Sequence, residues 1–208
     1  MTGARRALVA LVIACVASRA VRAQSQDGRL AARLDKPTLV AVNAIVDSAR
    51  SAKLPTAPLV DKALEGVAKG SDGPKIVSAV HQLSVRMGAA KRVLGANATS
   101  DDIKVAASAL DVGISTHDLA RIRAAAGKRS VTMPLEVLTD LVGREVPMAT
   151  ATNVVVQLAK SGAKDADLSL YLRNVRADID RGADPTVAAT TRARGLALKS
   201  AGSSKPTE

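Results

Sequence analysis

The sequence has no phenylalanine and no tryptophan, and Tyr171 is its single aromatic residue. A core must therefore be assembled from Leu, Val, Ile, Met and alanine. Each buried Leu or Val contributes roughly 1.5–3 kcal/mol, so such a core holds if helices approach closely over small side chains. The same lack removes the stacking platforms on which single-stranded nucleic-acid binders hold bases, and no specific nucleic acid is expected as a partner. Cys15 is the one cysteine, and His81 and His117 are the two histidines. Zinc takes three or four ligands of this kind, so no metal and no cofactor is expected.

The N-terminus carries the three zones of an export signal. Arg5 and Arg6 supply positive charge, Ala7 to Ala17 is an unbroken apolar run, and Val21-Arg22-Ala23 presents small residues where a signal peptidase reads. Residues 1–23 are expected to be a cleavable secretory signal peptide. The apolar run stops at Ser18-Arg19, short of the roughly 20 residues a spanning helix needs. Val12-Ile13-Ala14-Cys15 loosely resembles a lipobox, which gives the alternative of a lipoprotein anchored through Cys15. Cleavage after Ala23 removes the only thiol, so disulfides are then impossible. It also removes four of the 30 basic residues, leaving 26 against 19 acidic ones in a mature chain of 185 residues, a net charge of +7. That balance fits weak attraction to a polyanion or to anionic lipid.

After a flexible leader expected over 24–35, the chain is a run of helical patterns. Pro37 suits a first turn, and Leu39, Val42, Ile45 and Val46 recur at helical spacing. Lys53 to Pro58 separates this helix from one bearing Leu59, Ala63, Leu64 and Val67. Gly70 to Pro74 is a turn that opens the longest helix, about 74–94, with Ile76, Val80, Leu83, Met87 and Leu94 on one face. Thr99 or Ser100 caps the next, whose first turn holds Asp101 and Asp102, where negative charge suits the helix dipole.

From there one junction recurs. A helix end meets a turn residue, then a small or apolar residue, then a cap or proline. Gly113, Gly162 and Gly182 take the turn position, where a left-handed backbone is open to glycine, and Glu145 takes it in the remaining copy. The junctions lie 32, 17 and 20 residues apart, so there is no fixed repeat. The fold class expected is all-α: an irregular helical bundle or short α-solenoid built from tandem short helical hairpins. A single all-helical domain is expected over 36–199, with a disordered tail over 200–208.

Local motifs fall short of known chemistries. Asp178-Ile-Asp180-Arg-Gly182-Ala-Asp184 alternates like a calcium loop but lacks the bidentate glutamate at the twelfth position, which is Ala189. Ser161-Gly162-Ala163-Lys164 matches Ser-x-x-Lys, yet Ser161 ends a helix rather than opening one, and the companion motifs are missing. Gly66 to Gly73 fits no phosphate-loop spacing. Asn97-Ala98-Thr99 is a glycosylation sequon. Glu136 and Asp140, four apart, share a helix face.

The strongest surface feature is basic: Arg121, Arg123, Lys128 and Arg129, which Arg192, Arg194 and Lys199 would extend. Cations at a helix C-terminus are favourable in themselves by roughly 0.3–1 kcal/mol each; the functional alternative is polyanion binding. The expectation for function is an exported, periplasmic or secreted, non-catalytic protein that serves as a protein-interaction or envelope-associated module. The alternative is a polyanion or membrane-surface binder using the basic residues, and the third reading is a metal-independent enzyme.

Overall fold

The computed structural model describes the backbone of residues 28–202 and side chains to 199. The expected signal peptide over 1–23, which includes Cys15, lies outside the described residues, as do residues 24–27 and 203–208. Among the described residues there is no strand. Nine helices follow one another there: α1 (Lys36–Ser51), α2 (Ala57–Ala68), α3 (Gly73–Leu94), α4 (Ser100–Asp111), α5 (Thr116–Ala126), α6 (Thr132–Gly143), α7 (Met148–Lys160), α8 (Asp165–Asp180) and α9 (Pro185–Gly202). The all-α expectation holds. None of the described helices is long and apolar enough to cross a membrane.

The chain divides into two compact units between Ser84 and Val85, within α3 and within the span expected to be one domain. The first buries Leu30, Val42, Val46, Leu59, Val60, Ile76 and Val80. Part of the expected leader is ordered: residues 28–31 make a helical turn, and Leu30 is fully buried. An apolar side chain at that position draws the start of the chain onto the unit's core. Asp35 caps α1, accepting the Thr38 N–H (3.0 Å) and hydroxyl (2.7 Å). Gly73 opens α3 against that cap, where an added Cβ would stand 2.0 Å from Thr38 Oγ1. Only glycine allows this approach.

In the second unit each helix packs on the helix two places on: α4 on α6, α5 on α7, α6 on α8, and α7 on α9. Contacts of α6 with α7 and of α8 with α9 tie the two rows into hairpins. The result is an irregular helical bundle whose hairpins stack in two rows. Alanines at 106, 109, 151, 188, 189 and 193 are buried between helices beside Leu119, Ile122, Leu135, Leu138, Leu141 and Leu158, as a core without large aromatics requires. Tyr171 is buried, and its hydroxyl donates to the Ala189 carbonyl at 2.9 Å, fastening α8 to α9.

The turns show why the hairpins are tight. Gly113, Gly162 and Gly182 have φ of +98°, +80° and +93°, and Glu145 has +66°. At each, the following N–H reaches back five residues into the helix just ended: Ile114 to Ala109, Val146 to Leu141, Ala163 to Leu158 and Ala183 to Asp178. These are Schellman closures. Ile114, Val146 and Ala163 then bury their side chains, which sets where the next helix starts. Lys53 (φ +55°) and Gly70 (φ +68°) close α1 and α2 in the same way.

Candidate functional site

A groove of about 900 Å³ runs over α4, α6 and α8, one whole row of the second unit. Val105, Gly143 and Leu172 give it apolar lining, and Lys104, Glu136, Asp140, Arg144 and Arg176 give it charge. Helical spacing explains the composition. Glu136, Thr139, Asp140 and Gly143 fall at i, i+3, i+4 and i+7 on α6, so they share one stripe.

Asp140 is the centre of the charge arrangement. Arg176 of α8 grips it with two donors, Nη2 at 2.5 Å and Nε at 3.3 Å. Arg144, one turn on, adds Nε at 3.1 Å and lies 4.0 Å from Asp180. The fork geometry suits a carboxylate, and the bond to Asp140 holds the Arg176 guanidinium above its ordinary value. Glu136 stands exposed one turn earlier, with no ion-pair partner among the described residues. The two carboxylates that share a helix face therefore differ in state: one is clamped by arginines, the other is open to a ligand. Ser108 and Thr139 have already donated their hydroxyls to the Lys104 and Leu135 carbonyls, which leaves them as acceptors.

The chain matches no family model, no curated protein and no solved structure.

The basic residues singled out in the sequence divide into two kinds. Arg121 binds Asp118 (2.9 Å) and Asn153 of α7 (2.8 Å). Arg129 donates to the carbonyls of Ala126, Ala159 and Ala163, closing the C-terminal end of α7. Both arginines thus join α5 and its following loop to α7. Arg123 and Lys128 make no ion pair or hydrogen bond of this kind among the described residues. On α9, Arg192 is held by Asp178, with donors at 2.5 and 2.8 Å, while Arg194 is exposed.

The weaker motifs resolve into structural parts. Asp178 is engaged by Arg192 and Arg181, whose hydrogen bonds hold it at about 2, and Asp184 caps α9 through the Val187 N–H at 2.9 Å. The calcium-like string is thus a helix end, a turn and a cap. Ser161 bonds the Leu158 carbonyl at the end of α7. His81 and His117 are both exposed, and His117 Nδ1 lies 3.7 Å from Asp118. Among the described residues no group of three His, Cys, Asp or Glu side chains is placed to hold a metal ion.

One residue carried more than its sequence position promised. Asp102 is 3% exposed. Its Oδ2 accepts the Thr99 N–H (3.2 Å) and hydroxyl (2.9 Å), completing a capping box on α4. Its Oδ1 accepts the Ser130 hydroxyl (2.6 Å), the Val131 N–H (2.8 Å) and the Thr132 hydroxyl (3.2 Å) at the start of α6. Burial alone would raise its pKa. The hydrogen bonds from Ser130, Val131 and Thr99 outweigh that and hold it at about 2.

Proposed function

We propose that this is an exported, non-catalytic helical module that presents the α4–α6–α8 groove to a protein partner in the cell envelope. The observation that carries the reading is the groove itself: one open row of a solenoid-like unit, apolar along its lining and edged by charges of both signs. Stacked hairpins characteristically expose such continuous surfaces for binding. Asp140 is neutralised within the groove by Arg144 and Arg176, so its carboxylate serves to hold two cationic side chains in place for recognition. Export rests on the N-terminal sequence, and the periplasm or the outside of the cell is the compartment it implies.

The test uses Gly143, which lines the groove and where an added Cβ meets nothing within 4 Å. Gly143→Trp fills the groove without straining the helix. A partner captured from envelope extract by the natural protein and lost with Gly143→Trp, but retained with Gly195→Trp on α9, supports the reading. Equal capture by all three overturns it. Mass spectrometry of the exported protein should find Gln24 at its N-terminus; an acylated Cys15 would replace the soluble form with a tethered one.

A further inference from the structure

Sorting the second unit by row exposes a division of charge that the linear sequence conceals. The row of α4, α6 and α8 carries nine carboxylates and three cations. The row of α5, α7 and α9 carries six cations and a single carboxylate, Asp118. That carboxylate is already paired with Arg121. Hairpin connectivity produces the separation, because alternate helices in the chain fall into opposite rows.

The cationic row has two further properties. Arg123, Lys160, Arg194 and Lys199 pair with no carboxylate among the described residues, so their charge is available to a ligand. Val187 and Leu198 are 59% and 75% exposed. They lie eleven residues apart on α9, three helical turns, and so share a face, with Arg194 between them. A soluble polyanion would make use of the cations alone. A surface that joins cations to protruding aliphatic side chains suits the boundary of a bilayer, where headgroups meet the first, and acyl chains the second.

We propose that the α5–α7–α9 row docks on a membrane surface rich in anionic lipid headgroups. The groove on the other row is left free. This inference does not rest on the groove reading, and loss of partner capture would leave it untouched.

The experiment is sedimentation of the full chain with sucrose-loaded vesicles of phosphatidylcholine, or of three parts phosphatidylcholine to one part phosphatidylglycerol. Residues 1–23 are present in every protein compared, so a difference between variants comes from the substituted side chains. A cation near an anionic surface strengthens binding about fivefold. The natural chain should therefore partition onto the anionic vesicles at least tenfold better than onto the neutral ones, and lose that advantage as salt screens it. Lys160→Glu with Arg194→Glu should reduce the advantage by at least ten- to twentyfold. The charge-matched control is Lys104→Glu with Arg173→Glu on the other row, which should retain most of it. Val187→Asn with Leu198→Gln should weaken vesicle binding several-fold while leaving heparin retention unchanged. All six substituted side chains are largely exposed, and circular dichroism checks that helix content is kept. Equal losses from the two charge-reversal pairs would overturn the proposal, since net charge would then be the cause. Vesicle binding indifferent to Val187→Asn with Leu198→Gln would also overturn it, in favour of a general polyanion site.

Discussion

Replacing Asp102 with asparagine removes one charge and almost no volume from the joint between α4 and α6, and the structure sets what that should cost. Two routes give the size. A carboxylate held at about 2, against about 3.9 in an unfolded chain, favours the folded state by about 2–3 kcal/mol at neutral pH. Hydrogen bonds to a charged acceptor are worth about twice neutral ones. Asparagine keeps Oδ1 for Ser130 and Val131 but turns an NH₂ toward the Thr99 N–H, so a loss of about 2 kcal/mol is again reasonable. Because the folded pKa is depressed, this stability is present in full above the unfolded value. It is lost as the pH falls through about 4 towards 2. The assay is urea unfolding followed by helical circular dichroism, to which α4 and α6 themselves contribute. Asp102→Asn should unfold about 2 kcal/mol more easily at pH 7, and the gap should close by pH 2. Other carboxylates held low, such as Asp178 at about 2, titrate in both proteins and cancel in the difference. A cost at pH 7 below about 0.5 kcal/mol would refute the reasoning, as would a gap that persists unchanged at pH 2.

Glu145 holds a left-handed turn at φ +66° that glycine fills in three sister junctions. Glu145→Gly should therefore raise stability by about 0.5–1 kcal/mol despite the added freedom of the unfolded chain, and a lower melting temperature would contradict this. Burial raises the pKa of the Tyr171 hydroxyl above its ordinary value of 10, so its contribution to stability holds below that pH and is lost as the pH climbs. Phenolate absorbance should therefore appear together with the loss of helical dichroism; ionisation near pH 10 with the helices intact would show that the hydroxyl is not enclosed.

The helices and their junctions were legible because both are local. Helical spacing of Val42, Val46, Ile76 and Val80 marks buried faces, and a left-handed turn has few residues that suit it, so Gly113, Gly162 and Gly182 mark themselves. Even Glu145 could be placed by analogy with its sister junctions. The Thr99 cap and the acidic first turn of α4 were legible for the same reason. What Asp102 does beyond that turn was not, because Ser130, Val131 and Thr132 are about thirty residues away. The groove was hidden likewise, since Asp140 and Arg176 come together only when α8 packs on α6. Arg121 and Arg129 looked like free charge in the sequence, and their bonds to Asn153 and to the Ala159 and Ala163 carbonyls depend on α7 lying beside them. The separation of charge between rows needs the alternation of helices to be known first.

Packing each helix on the one two places on also bears on how the second unit forms. Every strong contact joins segments close in the chain, so little entropy is lost in closing loops before contacts form. Low contact order of this kind goes with folding in microseconds to milliseconds. Hairpins can add in succession, each on the surface left by the last, and the unit can loosen from an end without dissolving its middle. Tyr171, fastening α8 to the terminal helix α9, is well placed to report that first loosening: its fluorescence should change while the α6–α7 hairpin still holds.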